Sequence, residues 1–273
     1  MRTNPSSTAR PLVVCLHSSG ATGRQWQALA ERLGGALRVV VPDLSGHGEG
    51  PSWTDERGDI LKADAEIVLA LAREAAGAVH LVGHSWGGAV ALRAARLQPQ
   101  RFASVAAYEP VLFRLLRDRG ERRVPAASVA AIGRALRADL RAGARRLAAR
   151  RFVDFWNGPG AFDALAPMRQ EAVAARMPAV AAHFGALWND DGLDAFRALP
   201  MPVRLYVGAR THQVTRLVAE LLAAALPDAR VQRMTAMGHM GPLTHPNTVA
   251  QSIAAFVTAQ ALPDAGVEVA RAA

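Results

Sequence analysis

A chain of 273 residues with 51% hydrophobic and 20% charged residues can bury one large core, and this composition excludes wholesale disorder. The single cysteine, Cys15, excludes an internal disulfide and a cysteine-based zinc site. No run of 18 apolar residues is present and residues 1–10 form no signal-peptide core, so a reducing cytoplasmic location is expected.

Residues 11–16 form a short apolar run that ends in His17-Ser18-Ser19-Gly20. A second, 38–41, ends in Pro42-Asp43-Leu44-Ser45-Gly46-His47-Gly48, and a third, 79–82, ends in Gly83-His84-Ser85-Trp86-Gly87-Gly88. Residues 104–108, 203–208 and 230–234 complete the set. All are short, apolar or β-branched, and closed by turn-forming residues, as in strands buried on both faces of a parallel sheet. Between them, 26–33, 60–76, 89–97, 216–226 and 248–261 carry apolar residues at spacings of three and four. Strand and helix alternate, which predicts an α/β fold with a doubly wound, mostly parallel sheet and its chemistry at the carboxyl ends of the strands.

The alternation breaks between 111 and 200, where helical patterns replace strands. We expect a helical lid over 111–200, inserted into a core made of 1–110 and 201–273. Ser128 is expected to cap one helix running to Arg151, with arginines 134, 137, 141 and 145 beside its apolar stripe. Residues 111–160 hold 12 arginines against four acids, nearly all of the net charge of +9. A basic surface that steers anions is one reading. No nucleic-acid motif accompanies it, so a solvated helix face is the expected one, with neither nucleic acid nor membrane as partner. The lid also holds eight of the 15 aromatic residues. Phe113, Trp156 and Trp188, with Trp26 from the core, are candidate linings of an apolar substrate pocket. The tail from Leu262 is expected to be loosely held.

Gly83-His84-Ser85-Trp86-Gly87 matches G-x-S-x-G between a strand and a helix. A nucleophilic serine on such a turn adopts a strained backbone and needs small neighbours two residues away on each side. The alternative is a glycine-rich turn with an incidental serine. On these residues the chain resembles the α/β-hydrolase family over about 11–260, and looks like its lidded esterases, carbon–carbon bond hydrolases, haloperoxidases and dehalogenases. The resemblance implies an α/β-hydrolase fold of about six strands, without the family's first two.

It also implies the site. Ser85 is the nucleophile, and the amides of Trp86 and of Ser19, in the loop resembling the family's His-Gly loop, are the oxyanion donors. His239, in Met237-Gly238-His239-Met240-Gly241, is the base; His245 is its nearest rival. His17, Asp43 and His47 match loop residues that are structural in the family. The acid departs from the commonest pattern, because Thr211 stands where an aspartate is expected after the fifth strand. Glu109 closes the preceding strand, the family's second location for the acid. A salt bridge from Glu109 to a lid arginine such as Arg114, or a dyad without an acid, are the alternatives.

These readings lead to a serine hydrolase of a small, partly apolar ester-like substrate, with no metal or organic cofactor and a monomeric or homodimeric state. The alternatives are a carbon–carbon bond hydrolase acting on a diketone, and a catalytically silent binding protein on the same fold.

Overall fold

The computed structural model describes residues 10–54, 58–117 and 123–262. Six strands, β1 (Leu12–Leu16), β2 (Arg38–Val40), β3 (Val79–His84), β4 (Ser104–Tyr108), β5 (Val203–Gly208) and β6 (Ala229–Met234), form one sheet of order β2-β1-β3-β4-β5-β6, parallel throughout. Alternate residues face opposite sides, as the pleat requires. Leu12, Val14 and Leu16 of β1 join one apolar cluster with α2 (Ile60–Arg73), α3 (Trp86–Leu97) and α7 (Gln213–Ala225). Val13 and Cys15 join another with α1 (Gln27–Leu33) and α9 (Pro246–Ala261). Burial pushes the Cys15 thiol up, so it packs as a small hydrophobe. The strand order reverses between β1 and β3, which opens a crevice at their carboxyl ends.

Between β4 and β5 the chain is helical: α4 (Arg123–Arg141), α5 (Arg145–Asn157) and α6 (Pro167–Asn189), flanked by 3-10 turns at Phe113–Leu116 and Leu193–Phe196. The single helix expected up to Arg151 is two, because Gly143 adopts φ 72° and turns the chain between α4 and α5. Ser128 does not cap; it lies inside α4 and its hydroxyl donates to the Pro125 carbonyl at 2.8 Å. Phe113, Phe152, Phe162 and Phe184 of this segment share the apolar cluster of α2, α3 and α7. At its end, Asp190 and Asp191 pair with Arg93 and Arg96 of α3 at 2.6–3.0 Å. The tail expected to be loosely held falls, from 263 onward, outside the described residues.

α3 passes very close to β1. A Cβ on Gly87 would stand 2.2 Å from the Leu16 carbonyl oxygen, and one on Gly83 would stand 2.3 Å from that of Gly87. Both obstacles are backbone, so no side chain can turn aside. Gly87→Ala must therefore push α3 off β1. We expect its thermal midpoint to fall by about 4–8 °C, equivalent to about 2 kcal/mol. An unshifted midpoint would contradict the close approach.

Candidate active site

Ser85 sits between β3 and α3 at φ 53°, ψ −113°. Its amide donates to the Tyr108 carbonyl at 3.0 Å, and its own carbonyl accepts from Ala89 and Val111, so the turn is held from β4 and from α3. The Ser85 Oγ lies 3.0 Å from His239 Nε2. On the far side of the ring, Nδ1 lies 2.8 Å from Glu109 Oε2. With the proton on Nδ1, the ring donates to the carboxylate and its bare Nε2 accepts from the serine hydroxyl. All three residues are nearly inaccessible: Ser85 is 5% exposed, His239 4% and Glu109 0%.

Glu109 follows β4 and is itself strained, at φ 44°. Its carboxylate is buried against three donors. Gly208 N–H reaches Oε1 at 2.8 Å, and the Thr211 hydroxyl reaches Oε2 beside His239 Nδ1. A buried carboxylate is tolerated only with such partners. Among the described residues Arg114 forms no salt bridge to Glu109. The His239 loop is fixed at several points. The Tyr108 hydroxyl donates to the Gly238 carbonyl at 2.8 Å, His84 Nε2 donates to the His239 carbonyl at 2.8 Å, and the Arg210 amide donates to the Met237 carbonyl at 2.8 Å. His245 lies elsewhere, with its Nδ1 on the Thr244 hydroxyl.

The loop after β1 carries the amides of Ser18, Ser19, Gly20 and Ala21. The Ser18 amide is taken by the Gln25 side chain, that of Gly20 by His47 Nε2 at 2.9 Å, and that of Ala21 by the Ser18 carbonyl. Among the described residues the amides of Ser19 and Trp86 have no such partner, and Trp86 opens α3 where helix amides are unpaired. His17 Nε2 accepts from the Leu44 amide, and Asp43 accepts from the Gly23 and Glu49 amides, so both hold loops together.

The four candidate pocket aromatics separate. Trp156, on α5, stacks on His239 with ring centres 4.2 Å apart and planes 27° apart. Phe113 and Trp188 pack on each other at 5.7 Å. Trp26 is buried with α1 and α9 against the opposite face of the sheet, its indole N–H on the Leu16 carbonyl. A groove of about 730 Å³ between α4, α6 and the residues Trp53, Gly58, Asp59 and Ile60 includes Arg137, Arg141 and Arg145 in its lining, but none of Ser85, Glu109 or His239.

Sequence reasoning passed over His183, Asp64 and Arg176. His183, on α6, lies with its Nδ1 2.8 Å from the Ser19 hydroxyl and stacks on the Trp86 ring. Asp64 accepts from the Trp86 indole and from the Ser45 amide. Arg176 donates to the Gly20 carbonyl. None of the three stands in a motif, and each becomes visible only when distant elements meet.

Burial lowers six imidazoles: His17 and His80 to about 4, His47 to about 3 with His17 contributing, His84 and His183 well below 6.5, and His212 below 6.5 with His239 contributing. Each of these histidines binds a proton more readily when unfolded. Its contribution to stability is full above pH 6.5 and is lost as pH falls, for His17, His80 and His47 as it falls toward 3–4. Burial raises Asp64 to about 6 against the hydrogen bonds of Ser45 and Trp86. Its contribution is full below pH 3.8 and is lost as pH rises through about 6. Six imidazoles oppose one carboxyl, so urea stability is expected to fall between pH 6.5 and 4, by up to about 1.4 kcal/mol per histidine per pH unit. A flat profile over that range would contradict neutral burial.

The Alpha/beta hydrolase family matches residues 13–252. A pimeloyl-(acyl-carrier protein) methyl ester esterase of Aromatoleum aromaticum is 30% identical over 88% of this chain and 96% of its own length. Among solved structures, a thermophilic esterase from Thermogutta terrifontis superposes with a TM-score of 0.68 at 23% identity, covering 93% of this chain and 91% of that one. A 2-hydroxy-6-oxo-6-phenylhexa-2,4-dienoate hydrolase from a Rhodococcus species does so at 0.63 and 23%, covering 89% of each chain. At these identities the two structures establish a shared fold and nothing finer. With the family matched over nearly its whole described length, the chain belongs to the alpha/beta hydrolase family and is an enzyme of the hydrolase class.

Proposed function

We propose that this protein is a serine hydrolase that cleaves a small, partly apolar ester through an acyl-enzyme. The observation that carries the reading is the continuous relay from Ser85 Oγ to His239 Nε2 at 3.0 Å and from His239 Nδ1 to Glu109 Oε2 at 2.8 Å. Ser85 Oγ attacks the ester carbonyl carbon while its proton passes to Nε2. The carbonyl oxygen becomes an oxyanion and accepts from the amides of Ser19 and Trp86. Collapse breaks the bond to the leaving alkoxide, which takes the proton from Nε2. Water then attacks the acyl-enzyme with His239 again as base, releasing the acid and restoring Ser85. Glu109 keeps the ring in the required tautomer and stabilises the imidazolium. Helices α4–α6 act as a lid, and Trp156 over His239 supplies an apolar wall to the site.

The relative from Aromatoleum is named for a methyl ester carried on an acyl-carrier protein, and this chain has a face suited to an acidic carrier. Arg146, Arg150 and Arg151 pair with Glu171, Asp163 and Asp139. Arg134, Arg137 and Arg141 of α4 have no ion pair among the described residues. Opposite charge on a carrier would speed encounter in a salt-dependent way.

Ser85→Ala is expected to abolish hydrolysis of a panel of aryl esters. Glu109→Gln is expected to lower kcat by about 10²–10⁴ with the circular dichroism spectrum unchanged. Full activity in Ser85→Ala would end the proposal, an unaltered rate in Glu109→Gln would remove Glu109 from it, and turnover of diketones with every ester untouched would replace ester cleavage by carbon–carbon cleavage. Reversing Arg134, Arg137 and Arg141 to glutamate together should reduce kcat/KM on a carrier-linked methyl ester about tenfold or more at low salt. Equal rates for this variant and the wild type would exclude that face.

A further inference from the structure

We propose that His183 is a positioning residue that holds together the two residues supplying the oxyanion donors, so that the covering helix α6 completes the oxyanion site. The inference rests on the serine-hydrolase reading above. What carries it is a single imidazole in contact with both donor residues. His183 Nδ1 lies 2.8 Å from the Ser19 hydroxyl, and its ring lies over that of Trp86, centres 3.7 Å apart and planes 7° apart. The residue is fully buried.

The surroundings make this imidazole a fixed point. The Trp86 indole is pinned at its N–H, which donates to Asp64 Oδ2 at 2.8 Å. Asp64 is buried on α2 and also accepts from the Ser45 amide. Arg176 stands seven residues before His183, two turns along the same face of α6. It donates to the Gly20 carbonyl at 2.8 Å, while the Gly20 amide donates to His47 Nε2 at 2.9 Å. Gly20, the residue after Ser19, is thus held at its carbonyl by α6 and at its amide by the loop after β2, and the Ser19 side chain is held by α6 again.

The tautomer follows from what is left over. His183 Nε2 is buried with no hydrogen-bond partner. An orphaned acceptor costs less than an orphaned donor, so the proton belongs on Nδ1 and is donated to the Ser19 Oγ. The Ser19 hydroxyl proton is then free for another acceptor, and the loop is anchored without using its amide. Ser19 lies outside any strand or helix and precedes Gly20 at φ 76°, so no ladder fixes its amide direction. An oxyanion donor acts only near 2.7–3.1 Å from the developing charge, and a small drift costs rate. The Ser85–His239–Glu109 relay hangs on β3, β4 and the loop after β6, so loss of His183 should leave it in place.

Two substitutions separate the contacts. His183→Phe keeps an aromatic ring on Trp86 and removes the bond to Ser19, whereas His183→Asn places a short amide donor near the position of Nδ1. With a short-chain aryl ester, His183→Phe is expected to lower kcat about 10–100-fold with KM within about threefold. The Ki of a trifluoromethyl ketone, whose adduct with Ser85 carries the oxyanion, should rise by the same factor. His183→Asn should recover most of both. Ser19→Ala, which keeps the amide, should show a similar loss, and Ser19→Ala with His183→Phe should be no worse than either alone. Unchanged kcat and Ki in His183→Phe, or losses that multiply in the double variant, would overturn the inference. If His183→Phe does not fold, Ser19→Ala decides, since an unchanged Ki there has the same consequence. Activity surviving in Ser85→Ala would instead defeat the hydrolase mechanism itself, so the two failures are distinguishable.

Discussion

The first helix turn after Ser85 runs against the end of β1 with no room for a side chain. A Cβ at position 87 would meet the Leu16 carbonyl at 2.2 Å. This contact brings the loop carrying Ser19 beside the turn carrying Ser85. It also sets the entry angle that forces Ser85 to φ 53°, a conformation costing about 1–3 kcal/mol. The strain is held by bonds from elsewhere: Ser85 N–H to Tyr108, and the amides of Ala89 and Val111 to the Ser85 carbonyl. The non-glycine residues with positive φ among those described are Ser85, Glu109 and Ala236, each in a loop that delivers one member of the relay. Strain gathered in this way marks where the fold serves geometry ahead of stability.

The location of Glu109 follows from strand pairing. β4 and β5 are neighbours, with Tyr108 opposite Tyr206, and the Glu109 amide donates to the Tyr206 carbonyl. Loops after either strand therefore reach the same edge of the His239 ring. A carboxylate on one loop asks the other for donors, and β5 supplies them through the Gly208 amide and the Thr211 hydroxyl. A second carboxylate at 211 would set two like charges against one imidazole. Threonine, with one hydroxyl proton and no charge, is the complement that a glutamate at 109 requires.

The sheet was legible in the sequence because each strand is a short apolar run closed by a turn residue, and because parallel strands buried on both faces need no alternation to be recognised. Ser85 and His239 were legible for a different reason, each standing in a glycine-flanked loop at a strand end. Glu109 had to be inferred from the gap at Thr211, which turned out to be its partner. The insertion was harder. Its helical character was plain, but Gly143 breaks what the apolar stripe presents as one helix, and beyond the turn α5 buries Ala148, Ala149, Phe152 and Val153 and leaves Leu147 of that stripe exposed. Trp26 was misplaced for a related reason. An aromatic near an oxyanion loop can point to either face of the sheet, and a local pattern does not say which. His183 carried no local signal at all, since Ser19 lies 164 residues away.

Helices α5 and α6 touch the candidate site at three points. Trp156 lies on the His239 ring, His183 on the Trp86 ring, and Arg176 on the Gly20 carbonyl. Ser85 is only 5% exposed, so in the proposed reaction movement of this cover would widen a substrate's approach to its hydroxyl. Movement of α6 would release the Ser19 hydroxyl and the Gly20 carbonyl together, and movement of α5 would bare the His239 ring. Closure over a bound substrate would then restore both sets of contacts and exclude water at once, so that site assembly is coupled to occupancy. The ion pairs of Asp190 and Asp191 with α3 oppose any displacement of the end of α6. Toward α5, the pairs of Arg146 with Glu171 and of Arg150 with Asp163 are exposed on both sides and weak, so they oppose displacement less.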